Sequence, residues 1–149
     1  MKKKSSNKKK NKDIVTEMQE RHHKKFSFKR TIDATYHSID GIKEAYANEQ
    51  SLYVIFMGGI IMVIAGFFFH ISRMEWLFCF ALISNIVVTE LLNTSIETVV
   101  DLVSPEWHIL AKNSKDIASG AVLLSSIFSF AMILLVFLPH IIDFIKGLL

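Results

Sequence analysis

The sequence predicts an all-α integral membrane protein, with three transmembrane helices preceded by an N-terminal amphipathic surface helix. Three observations lead there. Of the 149 residues 51% are apolar, and the mean hydropathy of +0.36 is too high for an ordinary soluble domain of this length. Leu52–Ile71 contains no Asp, Glu, Lys or Arg, and a helix rising about 1.5 Å per residue needs about twenty such residues to cross a bilayer core. Charge is also segregated: residues 1–30 hold 12 of the 17 Lys and Arg but only 3 of the 14 Asp and Glu, so a basic tail precedes an acidic body.

Residues 1–25 are expected to be a disordered basic tail, because Met1–Lys12 sets seven lysines among Ser and Asn with nothing hydrophobic between them. Such a tail either docks on anionic headgroups, at about 1 kcal/mol per basic residue, or is a solvated extension that helps fix topology. No aromatic platform accompanies the lysines, which argues against nucleic acid as a partner. Ile14–Lys29 stays polar where a signal peptide would turn apolar, so no cleavable leader is expected. The single cysteine, Cys79, cannot form an internal disulfide.

The rest of the chain, residues 26–149, reads as one membrane domain. Over 27–48, at about 100° per residue, Phe28, Ile32, Tyr36, Ile39, Ile42 and Tyr46 form an apolar stripe, and Ala34, Ser38, Gly41 and Ala45 a small-residue stripe roughly opposite. Arg30 and Glu49 extend the small stripe at its two ends. The pattern fits a helix in the membrane interface that another helix can approach closely, or a plain amphipathic helix. Spans are expected at about 52–71, 76–103 and 115–142, with Ser72–Glu75 as a tight polar connection. Pro139 is expected near the end of the last span, with His140, Asp143 and Lys146 beyond it. The basic N-terminus, with Lys112 and Lys115 in the second connection, predicts a cytoplasmic N-terminus and a cytoplasmic 101–116 loop.

The chemistry is expected on the second span. Glu90, Asn93, Glu97 and Asp101 follow i, i+3, i+7, i+11 spacing and so share an arc of about 80° on one helix face. Ionisable groups at a span are costly and are functional candidates by default. Like charges in a row call for a cation among them: a divalent metal, Lys115 or Arg30. Oxygen ligands suit Mg²⁺, which takes one or two carboxylates with phosphate oxygens and waters; a salt-bridged structural network is the plainer alternative. Ser104-Pro105 is expected to open a short helix carrying Trp107 and His108, which either meet an adenine or seal the interface. Ser114 is expected to cap the third span, presenting free N–H groups beside Lys115 as a phosphate site. Neither a P-loop nor a protein-kinase motif occurs.

The run ELLNTSIETVVDLVSPEWHILAKNSKDIASGAVLL resembles the signature region of the prokaryotic diacylglycerol kinase family, which includes the undecaprenol kinases of Gram-positive bacteria. The first half of the pattern is matched at Glu90, Asn93, Thr94, Ser95, Ile96, Glu97, Val100 and Asp101, the second at Lys115, Asp116, Ala118, Ser119, Gly120, Ala121 and Val122. The small stripe and Glu49 are in register with the family's surface helix, and the likeness covers about residues 26–138.

The resemblance implies an ATP-dependent kinase of a membrane lipid alcohol in the bacterial plasma membrane, with a cytoplasmic active site. It implies Glu90 as general base on the lipid hydroxyl, Glu49 and Glu97 as Mg²⁺ ligands, and Asn93 and Asp101 as their support. It places Arg30, His37, Glu106, Trp107, His108, Lys115 and Asp116 toward the nucleotide, and Ala34, Ser38 and Ser119 toward the lipid. It also implies a homotrimer with active sites shared between subunits. Ile39, Asp33, Tyr53, Ile55 and Ser114 depart from the common pattern, and most of these positions are where lipid would lie. Undecaprenol is the expected acceptor, on the Lys/Asn/Ile/Phe-rich composition of low-GC Gram-positive proteins; diacylglycerol is the alternative. A small transporter or a non-enzymatic membrane adaptor is the more distant one.

Overall fold

The computed structural model describes residues 27–148, so the tail expected over 1–25 lies outside the described residues. All regular structure among them is helical: α1 Phe28–Asn48, α2 Gln50–Phe68, α3 Arg73–Val103 and α4 Ile109–Leu148. The chain falls into two units, residues 1–40 and 41–149, with α1 running across the boundary. In the first unit the Thr35 and Ser38 hydroxyls each donate to the carbonyl four residues back, both at 2.9 Å, which satisfies short polar side chains within the helix. At the other end of the small-residue stripe Ala45 is buried.

The second unit carries the three helices that are long and apolar enough to cross a membrane. The turn between α2 and α3 is tighter than expected. His70 takes a left-handed φ of 51°, and Ser72 caps α3. Ser72 N–H donates to Glu75 Oε2 at 2.6 Å, and Glu75 N–H to Ser72 Oγ at 3.4 Å. This reciprocal capping box starts the helix at Arg73, so the predicted connection Ser72–Glu75 is largely helix. Gly66 is required beside this turn, because a Cβ there would lie 2.6 Å from the Trp76 indole.

The α3–α4 connection also differs from expectation. Ser104-Pro105 opens no helix; Ser104 Oγ instead donates to the Glu106 carbonyl at 3.1 Å. His108 Nδ1 accepts from Leu110 N–H at 3.2 Å, satisfying one of the orphan donors of a helix start, and α4 begins at Ile109. Ser114 is therefore inside the helix rather than its cap, and the N–H groups near Lys115 are not a free phosphate site. At the far end α4 continues through Pro139 to Leu148, so His140, Asp143 and Lys146 lie on the helix rather than beyond it.

α3 packs against α4 along most of its length and against α2 over a shorter stretch. Met62, Ile71, Cys79 and Phe137 form the buried core, flanked by Val63, Trp76, Ile83 and Ile133. Polar contacts join α3 to α4: Asn85 Nδ2 donates to Ser125 Oγ at 2.7 Å, and fully buried Ser129 donates to the Leu82 carbonyl at 3.4 Å. Apolar helices gain little hydrophobic attraction for one another in lipid, so small residues and such hydrogen bonds hold them together.

Candidate functional site

The α2 N-terminus and the C-terminal half of α3 meet through one side-chain pair. Ser51 sits in the first turn of α2, and its hydroxyl donates to Glu90 Oε1. Glu90 is 5% exposed and the most buried charged residue described. Its own carbonyl accepts from Thr94 Oγ1 at 3.1 Å. One turn on, Asn93 is 8% exposed, and its amide nitrogen donates to Glu97 Oε1 at 3.1 Å. The Asn93 Oδ1 is buried without a hydrogen-bond partner. Such an oxygen is costly unless a donor or cation completes it.

Glu49 immediately precedes α2 in an extended conformation, with φ −108° and ψ 110°, and its side chain makes no capping hydrogen bond. The carboxylate is thus left uncommitted to the helix start, two residues before Ser51.

Above this row, α3 and α4 enclose a cleft of about 440 Å³ lined by Asp101, Glu106, Trp107, His108, Lys112, Lys115 and Asp116, among others. Lys115 Nζ reaches both oxygens of Asp101, at 2.8 and 2.9 Å. Lys112 pairs with Asp116 at 2.5 Å, one helical turn apart. The cleft thus offers two ammonium groups, each held in place by a carboxylate, beside an indole that is 79% exposed. Cations fixed this way are preorganised for an anionic ligand.

The sequence-predicted residues therefore fall into groups. Glu106, Trp107, His108, Lys115 and Asp116 come together in the cleft, with Asp101 on its wall. Glu90, Asn93 and Glu97 form the expected row on α3. Among the described residues no three His, Cys, Asp or Glu converge on one metal position. Ser119 is exposed, one turn past Lys115 on α4. Arg30, Ala34, His37 and Ser38 lie on α1 in the first unit. Sequence reasoning missed Ser51 and the part played by Lys112. A lone hydroxyl in the first turn of an apolar span, and a Lys four residues before an Asp on one helix, were the available signals.

Comparison with known proteins shows which family the chain resembles along most of its length. The family model for prokaryotic diacylglycerol kinase matches residues 36–137. The chain is similar to the undecaprenol kinase of Bacillus subtilis, 38% identical over 105 residues that make up 70% of this chain and 85% of the relative. It is likewise similar to a diacylglycerol kinase of Helicobacter pylori, 38% identical over 105 residues, 68% of this chain and 79% of that one. The diacylglycerol kinase of Escherichia coli K12 is 28% identical over 100 residues, 67% and 82% of the two chains.

Proposed function

The chain belongs to the prokaryotic diacylglycerol kinase family and is a membrane lipid kinase; from that premise we propose that it transfers the γ-phosphoryl group of ATP to undecaprenol, giving undecaprenyl phosphate. Diacylglycerol is the alternative acceptor, since relatives at similar identity carry that name. The observation that carries the proposal is Glu90: a buried carboxylate in the C-terminal half of a candidate span, steadied by Ser51, on the helix that also forms one wall of the cleft with two fixed lysines.

In the proposed reaction Glu90 takes the proton of the lipid hydroxyl. The hydroxyl oxygen then forms its bond to the γ-phosphorus while the bond from phosphorus to the β,γ-bridging oxygen breaks, releasing ADP. Lys115 and Lys112 neutralise phosphate charge. Asp101 and Asp116 hold those ammonium groups in position, so that little reorganisation is needed during transfer. Trp107 offers a flat face to the base, beside His108 and Glu106. The family resemblance further suggests roles toward the nucleotide for Arg30 and His37, and toward the lipid for Ala34, Ser38 and Ser119.

The row also fits Mg²⁺. The orphaned Asn93 Oδ1 beside Glu97 is a hard oxygen in need of a partner, and Mg²⁺ commonly takes few protein ligands and fills its shell with phosphate and water. Glu97 and Glu49 would hold it, with Asn93 in support, and the bound ion supplies charge neutralisation for the phosphates. The basic N-terminal segment, with Lys112 and Lys115 by the cleft, supports a cytoplasmic cleft, where ATP is, and a homotrimer would complete each site with a neighbouring subunit.

The test is transfer of labelled phosphate from ATP, with undecaprenol and diacylglycerol offered side by side and the products resolved by thin-layer chromatography. Undecaprenol is expected to be labelled faster, and EDTA to abolish transfer to either lipid. Preferential labelling of diacylglycerol would move the acceptor to the alternative; no lipid labelled in the presence of Mg²⁺ would remove the kinase mechanism.

A further inference from the structure

Phosphoryl transfer to an alcohol leaves a proton to be disposed of. Phosphate esters have a second pKa of about 6 and stay largely ionised above it, so one proton is released overall at neutral pH. Glu90 takes that proton at a carboxylate that is only 5% exposed, and it must be ionised again before the next lipid reacts. The side chains around it offer few exits. Thr94 and Thr89, the nearest hydroxyls along α3, each donate to a main-chain carbonyl, that of Glu90 at 3.1 Å and that of Asn85 at 2.7 Å. Asn93 donates to Glu97 Oε1 at 3.1 Å. Among the described residues Ser51 is the side chain that meets the Glu90 carboxylate.

We infer that Ser51 passes this proton from Glu90 to water at the start of α2. The inference rests on the lipid-kinase reading, with Glu90 as base, and deepens it. A hydroxyl carries one donor and two acceptor lone pairs, and its hydrogen rotates to suit. With Glu90 ionised, Ser51 O–H donates to Oε1. With Glu90 protonated the bond reverses, and the carboxyl O–H donates to Ser51 Oγ. The carboxyl O–H bond then breaks as a new O–H bond forms at Oγ, while the hydrogen that Ser51 already carried leaves to water and on to buffer. Glu90 ends ionised and Ser51 neutral, so both are ready for the next turnover. The place of Ser51 suits both ends of this step. It is half-buried in the first turn of α2, beside fully buried Leu52. That turn lacks a side-chain cap, because Glu49 makes no capping hydrogen bond, and uncapped N–H groups at a helix start draw water.

Ser51 acts through Glu90, so the test must separate passing a proton from merely steadying the carboxylate. The full chain is assayed in vesicles with Mg²⁺, ATP and undecaprenol or diacylglycerol, in H₂O and in D₂O. Buffer is kept dilute, and imidazole is added as a small proton carrier at fixed pH and ionic strength. Ser51→Ala is expected to lower kcat about tenfold, less than the full scale of lost proton transfer because water still reaches Glu90 slowly. Its solvent isotope effect on kcat should exceed that of the wild type, and imidazole should restore most of the lost rate. Ser51→Thr keeps a hydroxyl, and should retain most of the rate and ignore imidazole. Ser51→Val matches Thr in shape without the hydroxyl and should behave as Ser51→Ala, with the KM for ATP unchanged. A slow Ser51→Ala protein whose rate ignores imidazole and whose isotope effect matches the wild type would overturn the relay. So would a wild-type rate for Ser51→Ala, or an equal loss in Ser51→Thr and Ser51→Val. Failure of the wild type to label any lipid would instead remove the kinase mechanism on which the relay depends.

Discussion

Two glutamates on α3 make an instructive pair. Glu75 lies in its first turn and is partly exposed, while Glu90 lies beyond its middle and is buried. Glu75 is fully engaged: one oxygen accepts from Ser72 N–H at 2.6 Å, and the other is 2.9 Å from His140 Nε2 on α4. It fixes the α2–α3 turn to the far end of α4 and leaves no oxygen for chemistry. Glu90 is more buried, yet its carboxylate is steadied by a neutral hydroxyl, and a neutral partner can hold a carboxylate without neutralising it. The same residue type on the same helix is thus a staple at one end and a reactive group at the other. Its partners decide which.

That contrast can be sharpened, beginning with the largest effect. Lys115→Ala removes the ammonium held by both Asp101 oxygens and is expected to lower kcat/KM for ATP about a hundredfold, the scale of losing one preorganised charge contact. Asp101→Asn, which loosens the same lysine, should give a smaller fall in the same parameter. Steady-state kinetics with ATP varied checks both. Ser51→Ala removes the hydroxyl that steadies Glu90 and should cut kcat about tenfold with the KM for ATP unchanged, whereas Ser51→Thr should restore most of the rate; a loss that Thr does not rescue would point to packing instead.

At the staple end the effect moves from rate to stability. His140→Gln weakens the link to Glu75 at positions that are only 27% and 29% exposed, and is expected to cost about 1–2 kcal/mol. Thermal unfolding in detergent should show a Tm lower by a few degrees, with kcat retained at temperatures well below it. A large fall in kcat with unchanged Tm would mean that this end of the bundle is not simply structural.

Much of this was legible in the sequence because the bilayer constrains a chain so strongly. Uncharged runs of spanning length located α2 and much of α4, and the helical spacing of Glu90, Asn93, Glu97 and Asp101 put them on one face before any coordinates. Glu106, Trp107, His108, Lys115 and Asp116, which the resemblance groups at the nucleotide, line one cleft. What was not legible depended on contacts between distant segments. Ser51 and Glu90 are 39 residues apart, and Glu75 and His140 are 65 apart. No local period marks such pairs. The early start of α4 was hidden for a different reason: a histidine side chain, rather than the more usual Ser114, supplies the acceptor at its first turn. Pro139 is expected near the end of the last span, yet a proline in a long helix need not end it, and α4 runs on to Leu148.

The division of labour along α3 is tested most directly by Glu90→Gln and Glu75→Gln measured in one experiment, with both proteins folded and inserted in the same vesicles and phosphate transfer from ATP to undecaprenol and diacylglycerol followed. The expected result is a rate at least about a hundredfold lower for Glu90→Gln, the scale of lost general-base catalysis, and a rate near wild type for Glu75→Gln. A Glu90→Gln protein that phosphorylates lipid at the wild-type rate, or an equal loss in both variants, would contradict it.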